Sequence, residues 1–380
     1  MSNLVLYRKY RPQKFSEVVS QEHVTTTLLN AISSDKIAHA YLFCGPRGCG
    51  KTTIARLLAK AANCEKKDSP EPCGKCSSCV EIAENRSMDI IEIDAASHRG
   101  IDEIRELREG ARFGPTKSKY KVFILDEAHQ LTSGAENALL KILEEAPSHV
   151  IFILATTEPQ KVSTTIISRC QRFDFKKITT PEMVKRLEKM VKKEGVDVDK
   201  EVLSIIAGVS SGSLRDGESL LSQILSFVPE NTTVKKEDVK NLLGIVERGS
   251  TTEFIDCLLK DKATDALKIM EDSFNQGVSP EAFYLNVINY LREMMILKIV
   301  DERSEESGAQ SLMNSLLTKL TKEEVEKVKE QIKGVDIGEI KEMIDCFFSA
   351  GERIRYSPIP HLPLEVAVAE ISQNLRKKTE

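Results

Sequence analysis

Lys51 and Thr52 end the run Gly45-Pro-Arg-Gly-Cys-Gly-Lys-Thr, which fits G-x-x-x-x-G-K-[ST]. In that pattern the glycines let backbone N–H groups turn inward on phosphates, and the following helix adds the positive end of its dipole. Lys51 would reach the β- and γ-phosphates and Thr52 would put its hydroxyl on Mg2+. Gly45, Pro46, Arg47, Gly48, Cys49, Gly50 and Thr53 would form the rest of the cradle. The partner run is Val122-Phe-Ile-Leu-Asp-Glu-Ala-His. Asp126, ending an apolar strand, is the carboxylate on the Mg2+ side, and Glu127 suits a base that orients or activates water. An acidic strand end that merely faces solvent is the bland alternative, and the matched phosphate loop argues against it. His129 reads as a surface residue at a helix start.

A second constellation is C-x8-C-x2-C-x2-C, formed by Cys64, Cys73, Cys76 and Cys79, four of the nine cysteines. Disulfides are disfavoured in a reducing compartment, and cysteines this close pair poorly with one another. An iron–sulfur run would want a further cysteine three residues on, followed by proline, and neither is present. Four thiolates close a tetrahedral Zn2+ shell and leave no open position for chemistry. A structural zinc is therefore the expectation, with a cluster or free thiols as the alternatives. The intervening Ser69-Pro-Glu-Pro is turn-rich and polar, so the metal would supply the folding energy that apolar burial cannot. Cys257 and Cys346 fall on helical faces and read as core. Cys44, Cys49 and Cys170 lie near the nucleotide motifs, but nothing pairs them with a base.

Residues 39–45, 89–95, 121–127 and 149–157 are nearly continuous apolar, β-branched runs. Helical patterns at 52–63 and 100–111 lie between them, so a parallel sheet buried on both faces is expected. After Phe175 only helical patterns follow. Thr180 reads as an N-cap with Pro181 first in a helix that stops at Gly195. Ser213 and Asp216 are spaced as a capping box for the next helix. Beyond Ser279-Pro280 an amphipathic stretch puts Phe283, Val287, Tyr290 and Met294 on one face, broken by the polar run at 301–310. The expected architecture is α/β over 1–178 with the cysteine insert at 64–79, a small helical lid over 179–243, and a helical block over 244–380.

With 380 residues, 41% hydrophobic and 29% charged, the chain can bury several cores. A formal net charge of −4 excludes a surface that is basic overall, so any nucleic-acid contact would need a local patch. The N-terminus has no signal-like apolar run, and no run approaches the ~20 residues of a membrane span. A cytoplasmic setting with reduced thiols is expected. Asp-Glu-Ala-His also occurs in superfamily-2 helicases, but those need a second motor domain, and only helix follows Phe175.

Taken in order, residues 7–24 (YRKYRPQKFSEVVSQEHV), 39–60, 92–107, 143–175 and 212–221 (GSLRDGESLL) resemble the gamma/tau subunits of bacterial DNA polymerase III. These are AAA+ ATPases of the sliding-clamp loader, and the likeness covers roughly the first 245 residues. The resemblance implies an AAA+ domain, a helical lid and a helical collar through which subunits associate. It implies that Arg11, Pro12, Val18 and Val19 contact the adenine of ATP. Thr157 would be the first sensor, with Thr156 as the alternative, and Arg215 the second sensor on the γ-phosphate. Arg169, in Ser-Arg-Cys, would be an arginine finger acting on a neighbour's ATP. The implied partners are the delta and delta-prime subunits, the beta clamp and primed DNA, with Zn2+ at the cysteines. Arg105, Arg108 and Lys141 are candidates for phosphate contacts without base reading, though glutamates are interleaved with the arginines. Such chains usually continue into a proline-rich linker and further domains that hold the polymerase and helicase. Ending at Lys-Thr-Glu, this one would lack those activities, as a short form or a truncation. The competing expectations are a non-hydrolysing scaffold of the delta-prime type and another AAA+ DNA-remodelling motor. Intact Lys51, Thr52, Asp126 and Glu127 argue against the first, and the four-cysteine insert against the second.

Overall fold

Successive side chains of a strand point to opposite faces, so an unbroken apolar run must be covered on both sides. In the computed structural model, which describes residues 5–66, 68–227, 234, 248–302 and 322–379, that is how the sheet is built. The chain forms two compact units, residues 1–235 and 236–380.

In the first unit α1 (Leu6–Lys9) and α2 (Glu22–Ser33) precede β1 (Ala40–Cys44), α3 (Lys51–Ala62) and α4 (Ser77–Ala83). Then come β2 (Ile90–Asp94), α5 (Ile101–Arg112), β3 (Lys121–Asp126), α6 (Ser133–Glu144) and β4 (Val150–Thr156). The short α7 (Thr164–Ile167) leads to β5 (Gln171–Asp174). The strands lie in the order β2-β3-β4-β1-β5, all parallel, with Cys44 beside Thr156 and Asp94 beside Asp126. Leu42, Phe123, Leu125, Phe152 and Leu154 face one core with α5 and α6 residues. Their neighbours Tyr41, Phe43, Ile124, Ile151 and Ile153 face the other, against Leu28 of α2 and Ile54 and Leu58 of α3. The four expected strands thus form within about a residue of their expected ends. The fifth escaped the sequence reading because, in Gln-Arg-Phe-Asp, only Phe173 is buried.

Three helices follow among the described residues of this unit: α8 (Thr180–Glu194), α9 (Lys200–Val209) and α10 (Leu214–Phe227). The expected cap of α8 shifts by one residue. Thr179, not Thr180, is the N-cap, because Glu182 stands three positions after it and closes a capping box. Gly195 ends the helix at φ +73°, as a left-handed C-cap should. Ser213 accepts from the Asp216 amide at 3.4 Å and caps α10.

The second unit is helical among its described residues: α11 (Arg248–Leu259), α12 (Ala263–Asn275), α13 (Pro280–Glu302), α14 (Lys322–Gln331), α15 (Ile337–Ile354) and α16 (Leu362–Thr379). Phe283, Val287, Tyr290 and Met294 all lie in one hydrophobic core formed by its described residues. Cys257 and Cys346 are partly buried against that core, as expected. Most of the polar run at 301–310, and the boundary at 243, lie outside the described residues.

Candidate nucleotide site and metal centre

The loop after β1, the end of β3 and the end of β4 lie along one edge of the sheet. Gly50 starts α3 at φ +105°, and Lys51 and Thr52 follow in its first turn. Gly48 has φ +72°, and an added Cβ there would lie 2.0 Å from Ser213 Oγ, so only glycine fits between loop and lid. The Leu214 amide donates to the Gly48 carbonyl at 3.1 Å, which ties the start of α10 to the phosphate loop.

Lys51 is 6% exposed, and its ammonium donates to the carbonyls of Gly45 (2.7 Å) and Pro46 (2.8 Å). Thr52 Oγ1 donates to Asp126 Oδ2 at 2.8 Å, so one hydroxyl and one carboxylate sit side by side as oxygen ligands for Mg2+. Glu127 sits at φ +49°, an unusual conformation for a side-chain-bearing residue, where the chain leaves β3 for the next turn. Thr157 Oγ1 donates to Glu127 Oε2 at 3.0 Å, linking the expected first sensor to the expected base. Thr156 is fully buried and meets His129 Nδ1 at 3.1 Å.

His129 corrects the sequence reading. Its side chain is 4% exposed, 3.4 Å from Glu127 Oε2 and 3.3 Å from Glu158 Oε1. A three-residue 3-10 turn directly after β3 carries it inward over the sheet edge. It therefore supports the Glu127 carboxylate rather than facing solvent.

The cleft is lined by Arg11, Pro12, Val18, Val19, Arg47 to Thr53, Asp126, Glu127 and Arg215, all anticipated from sequence. Tyr7, Glu17, Ile178, Leu214 and Glu218 line it too and were missed. Arg215 lies over the Tyr7 ring, 5.0 Å from its centre, and Arg8, seconded by Arg215, holds the Tyr7 hydroxyl below its usual pKa. Leu214 and Glu218 were legible in principle, since α10 puts residues four apart on one face. Burial pushes the Glu218 carboxyl up to about 7, against the pull of Arg186.

Arg169 stands apart from this cleft. It pairs with Glu144 Oε1 at 2.5 Å and donates to the Thr165 carbonyl at 2.9 Å, with its side chain 35% exposed. Arg105 pairs with Asp102 at 2.8 Å and Arg108 with Glu109 at 3.3 Å, both on α5 itself. Lys141 is exposed on α6.

The four cysteines do converge, with their sulfurs all within 4.8 Å of one another. Cys73 Sγ and Cys79 Sγ are 3.9 Å apart, close to the ~3.8 Å edge of a tetrahedron with Zn–S bonds of about 2.3 Å. Backbone amides of Cys73, Lys75, Cys76 and Cys79 point at the sulfurs at 3.3–3.4 Å. The amides of Lys75 and Cys76 draw the Cys73 thiol down to about 6, whereas burial pushes Cys79 up. A cation at the centre is what would let both ionise. The residues fit zinc.

A phosphate loop after β1, Asp-Glu at the end of β3 and a helical lid presenting an arginine to the same cleft define an AAA+ ATPase-type fold. Residues 20–179 match a family model described as DNA polymerase III, delta subunit. Residues 182–228 match the ATPase lid domain of the DNA polymerase III clamp loader subunit, and 234–374 match domain III of subunits gamma and tau. The tau subunit of Bacillus subtilis (strain 168) is 43% identical over 98% of this chain and 64% of its own length. The gamma/tau subunit of Mycobacterium tuberculosis (strain ATCC 25618 / H37Rv) is 38% identical over 97% of this chain and 62% of its own. Among solved structures, the Thermotoga maritima RuvB Holliday junction branch migration motor has a TM-score of 0.48 at 19% identity, over 65% of this chain and 79% of its own. The chain belongs to the gamma/tau family of bacterial DNA polymerase III subunits, and it spans under two thirds of the length of these gamma and tau relatives.

Proposed function

We propose that this chain is the ATP-hydrolysing motor subunit of a clamp loader. With delta and delta-prime subunits it would use ATP binding to open the beta clamp and DNA-triggered hydrolysis to release the clamp closed on primed DNA. The observation that carries this is the unbroken chain of groups Thr52–Asp126, then Glu127–Thr157, beside a buried Lys51. Lys51 holds the β- and γ-phosphates, and Thr52 and Asp126 hold Mg2+, which neutralises phosphate charge when bound. Glu127, fixed by Thr157 and His129, takes the proton of the attacking water. Arg215 meets the γ-phosphate from the lid, and Arg11, Pro12, Val18 and Val19 enclose the base.

Arg169, paired with Glu144 outside its own cleft, serves a neighbour's ATP. Residues 1–178, 179–243 and 244–380 act as motor, lid and collar. Exposed Phe348 (56%) and Tyr356 (88%) in the second unit suit self-association through the collar. The four cysteines hold one structural Zn2+. Contacts to primed DNA at Arg105, Arg108 and Lys141 would be to phosphates only. No helix among the described residues is long and apolar enough to cross a membrane, and a cytoplasmic site of action is part of this reading.

Titration with ATP and a hydrolysis assay with clamp and primed DNA test the reading. Lys51→Ala should abolish nucleotide binding. Glu127→Gln should bind ATP but hydrolyse it orders of magnitude more slowly, because Glu127 acts only on the water. A wild-type chain that binds no ATP, or a Glu127→Gln chain that hydrolyses normally, would overturn it. No hydrolysis by any assembled wild-type complex would favour the scaffold.

A further inference from the structure

The cysteine insert is joined to the nucleotide cleft by one side chain. Glu71 lies in the loop between Cys64 and Cys73. Its carboxylate forks across two backbone amides that are 56 and 55 positions away in sequence, accepting from Phe15 at 2.8 Å and from Ser16 at 2.9 Å. Those amides open the three-residue 3-10 turn Phe15–Glu17, which is directly followed by the cleft-lining Val18 and Val19. The first amides of such a turn have no partner within the turn, so an outside carboxylate is the natural acceptor, and the charge strengthens both bonds.

Phe15 is 2% exposed and pins the front of the turn into the core. A single buried side chain leaves rotation about itself free, and two hydrogen bonds to one carboxylate oppose that rotation. At the other end of the insert, Glu65 accepts from Ser77 Oγ at 2.7 Å and from the Ser78 amide at 3.3 Å, which closes the loop onto the start of α4. The loop that presents Glu71 is thus held at both sides by cysteines and their neighbours.

We propose that the four-cysteine module is a working part of the nucleotide site: through Glu71 it positions the Phe15–Val19 wall that receives the base. The inference rests on the ATP reading above. It makes Glu71 a positioning residue, remote from the phosphates and from the attacking water. Loss of Glu71 therefore weakens ATP and ADP equally, since both carry the same base, and leaves turnover at saturating ATP unchanged. That pattern differs from Lys51→Ala, which acts on the phosphates.

The test measures direct binding of ATP and ADP to the full chain, zinc content, and KM and kcat. For Glu71→Ala the dissociation constants of both nucleotides should rise by about 5- to 30-fold, the range for losing a pair of partly exposed charged hydrogen bonds. Zinc should stay bound and kcat unchanged. Glu71→Gln keeps the shape and one acceptor oxygen, so it should fall between the two. Should Glu71→Ala lose its metal, Glu71→Gln with zinc retained decides the matter. Nucleotide affinities within twofold of wild type in a zinc-bound Glu71 variant overturn the inference, as does a loss confined to ATP. Wild-type binding abolished by Lys51→Ala verifies the ATP reading separately.

Discussion

Glu218→Gln isolates the one acidic side chain of the cleft that burial has strongly perturbed. Glu218 is 5% exposed, and its Oε1 has no hydrogen-bond partner; the nearest cation is Arg186 Nε at 3.5 Å. Burial raises the carboxyl from an ordinary 4.5 to about 7, while Arg186 and Arg11 pull it down. The gap corresponds to ~3 kcal/mol, at 1.36 kcal/mol per pH step. The sign follows from proton binding. A raised folded-state value means the folded chain holds the proton more tightly than the unfolded one. The stabilisation is then complete below about 4.5 and is lost as pH rises through about 7. Glutamine copies the protonated acid and does not titrate. Urea unfolding of the intact chain should therefore give nearly equal stabilities for wild type and Glu218→Gln near pH 4. By pH 8.5 the variant should be the more stable by ~3 kcal/mol. Circular dichroism can follow the melt, and the transition that ATP shifts is that of the first unit. A difference that does not change with pH, or a wild type favoured at pH 8.5, would show that Arg186 fully compensates the buried charge, and the reasoning would fail.

Two further outcomes follow from the site. Elemental analysis should find about one zinc per chain, and Cys76→Ser or chelation should lower the thermal transition by several degrees without removing phosphate contacts; iron, or a folded chain without metal, would refute this. Assemblies made only of Arg169→Ala or only of Lys51→Ala should both be nearly inactive with clamp and DNA, whereas mixed assemblies should exceed both. Activity equal to the sum of the parents in a verified mixture would mean that the finger does not act in trans.

What the sequence made legible was the phosphate half of the cleft. Its chemistry is dictated by contiguous runs, 45–53 and 126–127, each fixed at the end of a buried strand, so motif and position coincide. The cysteine cluster was equally readable, because ligand spacing alone brings four sulfurs together. The fifth strand and the role of His129 were not readable, since one apolar residue in four makes no strand signal and a short turn decides which way a histidine faces.

The base half of the cleft is built differently, and this explains why Tyr7 and Glu71 were overlooked. None of its walls belongs to the sheet. The segment from Tyr7 to Val19 and the lid helices must be held in place by long-range pairs. Glu71 clamps the amides of Phe15 and Ser16, Arg186 Nη2 donates to the Tyr10 carbonyl at 2.5 Å, and Glu194 receives Lys9 at 2.9 Å and the Tyr10 hydroxyl at 2.5 Å. Each pair joins residues dozens to nearly two hundred positions apart, and no local pattern announces it. Three of those ties run from Lys9 and Tyr10 to α8, so a movement of the lid would carry that part of the N-terminal segment with it. The phosphate loop is tied to the same lid through Gly48 and Leu214. A lid that shifts when nucleotide binds or leaves would thus move Arg215 and the Lys9–Tyr10 end of the N-terminal segment, whereas the zinc module, through Glu71, would hold the Phe15–Val19 end of that segment in place.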